Sequence, residues 1–190
     1  MVVTQYCTRR NTKTNHPYLK EIKKFDWGKD FLCYDNMVEF LNKKLDMNVL
    51  TQEFAYVIAF NYHNVPVGLY ELSHGMADEC NMNTRDLGIF LLLSGANRFI
   101  VAHNHPNGIS EPSTDDVVIT GNLQKLANML GIEFIQHFVI GNDGYDYTIY
   151  VEEDKDKESI EEEYILFKWT VVINSYANGS IGMKDILSAM

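Results

Sequence analysis

A chain of 190 residues, 46% of them apolar, has the length and composition of one globular domain with a full core. Its net charge of −10 argues against broad binding to a phosphate backbone, because like charges repel. No apolar run reaches the length of a membrane span, and the first ten residues lack the apolar core of a signal peptide, so a cytoplasmic setting is expected.

Three cysteines, Cys7, Cys33 and Cys80, lie far apart with no Cys-x-x-Cys spacing. That excludes a disulfide framework and a cysteine-based zinc knot. Nothing near Cys80 reads as the setting of an activated thiol. The charge is uneven. Residues 152 to 163 hold eight acids and two lysines, a local charge of −6, whereas residues 1 to 30 hold seven bases against three acids, a local charge of +4. Both stretches read first as solvated surface.

In chain order, residues 1 to 17 are polar and read as a loose arm, and residues 18 to 27 as an edge strand; together 1–34 form an N-terminal arm. Asp35 or Asn36 can cap a helix running to about Met47, with Met37, Val38, Phe40, Leu41 and Leu45 on one face. Phe54 to Asn61 is rich in aromatic and β-branched residues and predicts a strand. A turn at His63-Asn-Val-Pro66 then returns the chain as a second strand, Val67 to Ser73, carrying Glu71. A polar connection follows, and Asn83 or Thr84 caps an apolar helix to about Ala96. Arg98 to His103 is almost wholly apolar, as a buried central strand should be. Ser113 starts a helix through Leu130, with Gly131 placed to end it. Ile132 to Ile140 and Tyr145 to Val151 read as strands about a tight turn at Gly141-Asn-Asp-Gly144. The acidic extension, 152–190, includes a helix expected over Glu158 to Ser175. Strands mixed with helices in this order predict an α/β fold, with helices packed around a central mixed sheet.

Residues 99 to 118 carry the chemistry. Side chains i and i+2 of a strand share a face, so His103 and His105 point the same way at the end of the apolar strand. Pro106 and Gly108 turn the chain, and it returns to Ser113, with Asp116 in the first turn of the next helix. Each residue also has a plain structural role. Ser113-x-x-Asp116 matches a helix start, in which the serine caps and the acid complements the dipole, for about 1 kcal/mol. The combination of two same-face histidines, a Pro-x-Gly turn and an acid one loop later is hard to explain by packing. Two imidazoles and one carboxylate leave a fourth position open for water, as in a catalytic zinc site. The same donor set also describes non-haem iron sites. Hydrolysis needs a proton acceptor as well. Glu71, charged within the apolar stretch Val67 to Ser73, is a candidate. Asp115 is turned about 100° from Asp116 around a helix and should face elsewhere. His16, His63, His74 and His137 read as local or surface residues, with His74 placed near the Glu71 strand end.

The segment His103-Asn-His-Pro-x-Gly108, followed by Pro112-Ser-x-x-Asp116, resembles the signature of the JAB/MPN (JAMM) metalloprotease fold, in the version of its RadC-like bacterial branch. The resemblance runs from about residue 35 to 151 and is also visible at Glu71-Leu-Ser-His-Gly75, Leu130-Gly-Ile132 and His137-Phe-Val-Ile-Gly141. It implies a cytidine-deaminase-type sandwich and one zinc ion per chain held by His103, His105 and Asp116. It also implies Glu71 as the general base and Ser113 as the donor to the oxyanion. The implied reaction is hydrolysis of a peptide or isopeptide bond in a peptide or protein substrate. The alternative is an accessory protein, linked to DNA repair or mobile elements, that uses the JAB core as an interaction module. RadC-type proteins carry an N-terminal helix-hairpin-helix region with no counterpart among these residues, and the acidic stretch lies outside the family core.

Overall fold

The computed structural model describes residues 1–75 and 82–148. Cys80 and the acidic stretch with its expected helix fall outside these residues. Among the described residues seven strands form one mixed sheet in the order β2-β1-β4-β3-β5-β6-β7. They are β1 (Val2–Arg10), β2 (Pro17–Asp26), β3 (Glu53–Phe60), β4 (Pro66–Gly75), β5 (Arg98–Asn104), β6 (Glu133–Ile140) and β7 (Tyr145–Tyr147). Most neighbours run antiparallel; β1 with β4 and β5 with β6 are parallel. The result is the predicted α/β architecture with a central mixed sheet, consistent with a JAB/MPN-like domain.

Helix α1 (Tyr34–Leu45) covers one face of the sheet. It buries Met37, Val38, Phe40 and Leu41 against Tyr56, Ile58, Phe60, Ile100 and Ala102. Helices α2 (Thr84–Ser94) and α3 (Thr114–Leu130) cover the other face. There Leu87, Phe90, Leu91, Leu123 and Ala127 pack on Ala55, Val57, Ala59, Phe99 and Val101. Successive residues of β3 and β5 thus alternate between two cores, which is why β5 reads as continuously apolar. The starts of α2 and α3 follow the expected chemistry, but α1 begins at Tyr34 after Cys33 with no side-chain cap, so Asp35 and Asn36 lie inside the helix rather than capping it. Asn83 caps α2 by accepting from the amides of Arg85 and Asp86, and Gly95 and Gly131 close α2 and α3 in the left-handed conformation, at φ 67° and 65°.

The N-terminal reading is corrected. Residues 1–17 do not form a loose arm, because Val2–Arg10 is a strand paired along its whole length with β2 and joined in parallel to β4 at Gln5 and Tyr6. The polar composition of β1 reflects its place near the sheet edge, where one hairpin partner, β2, is itself largely exposed. At the other edge β7 covers Tyr145–Tyr147, and the rest of the predicted strand beyond Thr148 lies outside the described residues.

Candidate metal centre

The end of β5 and the start of α3 build the site. β5 lies between β3 and β6, so its last side chains are buried, and His103 is fully enclosed. His103 follows Phe99 and Val101 at intervals of two and shares their face, beneath α2 and α3. The chain leaves the strand at His105, whose amide still donates to the Ile140 carbonyl at 2.9 Å, and turns at Gly108, φ 84°. It then enters α3 through a complete capping box. Ser113 Oγ accepts from the Asp116 amide, and the Ser113 amide donates to Asp116 Oδ2 at 2.7 Å.

These elements bring three donor atoms to one point. His103 Nε2 lies 3.0 Å from Asp116 Oδ1, the two histidine Nε2 atoms are 3.1 Å apart, and His105 Nε2 is 3.4 Å from Asp116 Oδ2. Ligands about 2.0–2.1 Å from a tetrahedral zinc ion stand roughly 3.3 Å from one another, so the separations between the two Nε2 atoms and the Asp116 carboxylate are of the size such an ion needs. His105 Nδ1 sits 2.8 Å from the Ile109 carbonyl, an acceptor only. The proton of neutral His105 is therefore on Nδ1, and the Nε2 lone pair faces the triangle. A carboxylate and imidazole lone pairs aimed at one spot call for a cation there. The three residues fit a metal ion.

A proton on the histidines can stand in for the cation there. Burial pushes the Asp116 carboxyl up, but hydrogen bonds with His103 and His105 outweigh it and hold the group well below the usual carboxylate range. His105 is raised from 6.5, first by its hydrogen bond to Asp116 and in smaller part by the nearby charge of Glu53.

Ser113 Oγ donates to Asp116 Oδ2 at 2.6 Å. Its hydroxyl proton is thus committed to the ligand carboxylate, and Oδ1 is left facing His103. Asp115 is exposed, as its helical position predicts.

Glu71 is placed elsewhere, and this corrects its expected position beside the histidines. It pairs with Tyr56, a residue of the α1-side core, and lies on that face of the sheet, opposite His103. Its carboxylate accepts from Tyr56 Oη at 3.4 Å and meets His74 Nδ1 at 3.3 Å. Burial, then the Glu71 charge, pushes the Tyr56 hydroxyl up to about 12. His74 stacks on Phe54, with ring centres 5.3 Å apart.

Two functional candidates escaped the sequence reading. The first is Glu53, the buried opening residue of β3, 6% exposed. It lies two residues before Ala55, which pairs with His103, so it shares the His103 face. One further step of the antiparallel register brings it level with His105. The available signal was a glutamate immediately ahead of the predicted strand, at the end where the antiparallel neighbour finishes in His-Asn-His. The second is His137 on β6, read as local or surface. It is fully buried behind the site, with Nε2 2.9 Å from His103 Nδ1. Burial, and then the nearness of His103, holds it well below its ordinary value of 6.5, so it stays neutral.

A mixed sheet flanked by three helices, with two histidines and an aspartate meeting at the strand–loop–helix junction, defines a JAB-type domain with a potential metal centre. The chain belongs to the RadC-like JAB domain family, whose model matches residues 32–154 and so takes in every residue of the site. It is similar to a UPF0758 protein of Clostridium beijerinckii, 30% identical over 100 residues, covering 53% of this chain and 44% of the relative. A UPF0758 protein of Clostridium kluyveri is 29% identical over 124 residues, 65% of this chain and 54% of the relative. One of Trichormus variabilis is 35% identical over 97 residues, 51% of this chain and 40% of the relative. The chain spans about half the length of these curated relatives. Among the described residues no helix is long and apolar enough to cross a membrane.

Proposed function

We propose that the chain is a zinc-dependent hydrolase of peptide or isopeptide bonds, with His103, His105 and Asp116 as the metal ligands. The observation that carries this reading is the meeting of the two Nε2 atoms, 3.1 Å apart, with the Asp116 carboxylate, whose Oδ1 lies 3.0 Å from His103 and Oδ2 3.4 Å from His105, with a buried glutamate on the same face. Zinc bound by three protein ligands supplies a Lewis acid for the scissile carbonyl and an activated water. Glu53 is the carboxylate positioned to accept a proton on an Oε atom and return it to the leaving amine nitrogen. Ser113 steadies Asp116 by occupying Oδ2; it would serve an oxyanion only by turning its hydroxyl proton away from that oxygen. Glu71 is best used as the partner of Tyr56 and His74. The resemblance points to a peptide or protein substrate, and the charge of −10 argues against a nucleic-acid one. The free thiols Cys7 and Cys33 suit the cytoplasm.

The test is the metal content of protein purified without added metal, wild type beside His103→Ala. Near one zinc per chain, lost in the variant, supports the reading. Iron in its place would move the chemistry to another class. No metal in a folded wild type would leave an interaction module on a JAB scaffold.

A further inference from the structure

Behind His103 lies a file of buried polar groups that the proposed reaction does not use. His103 Nδ1 meets His137 Nε2 at 2.9 Å, His137 Nδ1 meets Thr120 Oγ1 at 2.8 Å, and Thr120 Oγ1 meets Thr148 Oγ1 at 2.5 Å. Thr120 also lies 2.6 Å from the Asp116 carbonyl oxygen. All four side chains are at most 3% exposed. Helix α3 therefore presents Asp116 and, one turn later, Thr120, so the element that carries one candidate ligand also braces another.

The direction of every bond in the file can be worked out from one fixed point. A carbonyl oxygen only accepts, so the Thr120 hydroxyl gives its single proton to Asp116. Its two lone pairs must then receive from its other two neighbours. Thr148 donates one hydrogen bond and His137 Nδ1–H the other. A neutral imidazole with its proton on Nδ1 has a lone pair on Nε2, which accepts from His103 Nδ1–H. His103 is left with its own lone pair on Nε2, the atom 3.0 Å from Asp116 and 3.1 Å from His105. We propose that Thr148, Thr120 and His137 form an oriented hydrogen-bond chain that locks His103 in the tautomer able to bind a metal through Nε2. His137 and Thr120 are positioning residues for the metal site, and the proposal rests on the metal reading above. Were Thr120 unable to accept, His137 could carry its proton on Nε2 instead. That would press His103 into the opposite tautomer, with Nε2 protonated and unable to ligate.

The test compares zinc affinity, by competition with a chromophoric chelator, for wild type, Thr120→Val and Thr120→Ser. Valine keeps the shape and removes the hydroxyl; serine keeps the hydroxyl and removes the methyl. Thr120→Val should weaken zinc binding by about tenfold or more, the usual effect of losing such a support, and Thr120→Ser should bind like wild type. In a His137→Phe background, Thr120→Val should cause no further loss, since the threonine acts through the histidine. Nitrogen NMR of the imidazole rings should find the His137 proton on Nδ1 in the metal-free wild type and a population on Nε2 in Thr120→Val. A mere packing defect would not produce that signature. Wild type that binds no zinc overturns the metal reading and this proposal with it. Wild type that binds zinc, with folded Thr120→Val equal to it, overturns the hydrogen-bond chain alone.

Discussion

Asn104 Oδ1 accepts the Phe54 amide at 2.9 Å, while its Nδ2 donates to the carbonyls of Gln52 at 3.0 Å and Leu50 at 3.4 Å. The asparagine between the two histidines thus points to the other side of the sheet and laces the segment that carries Glu53. One tripeptide, His103-Asn104-His105, supplies two candidate ligands on one face and fixes the facing carboxylate from the other. Asn104→Ala should remove the partner of half-buried backbone groups on both sides of Glu53 and cost about 1 kcal/mol. Urea denaturation reads the loss, and the zinc content should stay near that of wild type because the ligands are untouched. A loss under about 0.5 kcal/mol, within the range of an ordinary surface change, would show that the lacing is incidental.

The two glutamates separate cleanly. Glu53→Gln should lower hydrolysis of a peptide or isopeptide substrate pool by about 10²–10⁴-fold while the bound zinc remains, the effect of removing a general base. Glu71→Gln should change turnover by less than that range, since its carboxylate faces Tyr56 and His74. The reverse ranking would restore Glu71 as the base and make Glu53 a structural acid.

Much of this site was legible in the chain because its parts are local. His103, His105, Ser113 and Asp116 lie within fourteen positions, and strand periodicity, turn chemistry and a capping box each act over a few residues. The helices α2 and α3 were readable for the same reason, from their caps and, for α3, from its terminal Gly131; Gly95, which stops α2, lies inside the range predicted for that helix. What stayed hidden depends on pairing between distant segments. Glu53 reads as the polar lead-in Thr51-Gln52-Glu53 until register sets it level with His105. His137 reads as one polar residue in Phe134–Ile140 until the parallel pairing of β5 and β6 puts it behind His103. Glu71 looked catalytic because it interrupts an apolar strand, but alternation along β4 turns it to the wrong face. β1 was missed because residues near a sheet edge need not be apolar, and its partners lie up to about sixty residues away.

Metal-free protein should show a stability window set by the ion-paired ligands. His105 is raised above 6.5, so its contribution is fully present below that value and is lost as pH rises through the raised one. Asp116 is lowered below 3.8, so its contribution is present above that value and is lost as pH falls through the lowered one. The pair therefore contributes most between 3.8 and 6.5 and less on either side. Urea midpoints of chelator-treated protein, compared with His105→Gln from about pH 3 to about pH 9, should differ most inside the window. A difference that grows towards alkaline pH would be incompatible with these shifts. Saturating zinc should remove the alkaline fall, adding about 2.7 kcal/mol at a hundredfold excess over its dissociation constant.

The loop that carries His105 is clasped by the turn after β6. The amides of Asn142 and Asp143 donate to the Gly108 carbonyl at 2.8 and 3.3 Å, and the Ser110 amide donates to Asp143 Oδ1 at 3.0 Å. Gly141 makes this approach possible, because a Cβ there would meet Gly108 O at 2.5 Å and Ser110 N at 2.7 Å, both backbone atoms with little room to yield. Gly141→Ala should therefore prise the turn from the loop and cost about 1–3 kcal/mol, as overpacking does. It should also weaken zinc binding, since Ile109, the residue whose carbonyl orients His105, lies within the clasped segment. Gly28→Ala, where a Cβ meets nothing within 4 Å, is the control. Thermal melts with and without zinc distinguish the effects: the control should track wild type in both, and Gly141→Ala should melt lower in both and gain less from the metal. If Gly141→Ala gained as much as wild type, the clasp would hold the fold without holding the ligand.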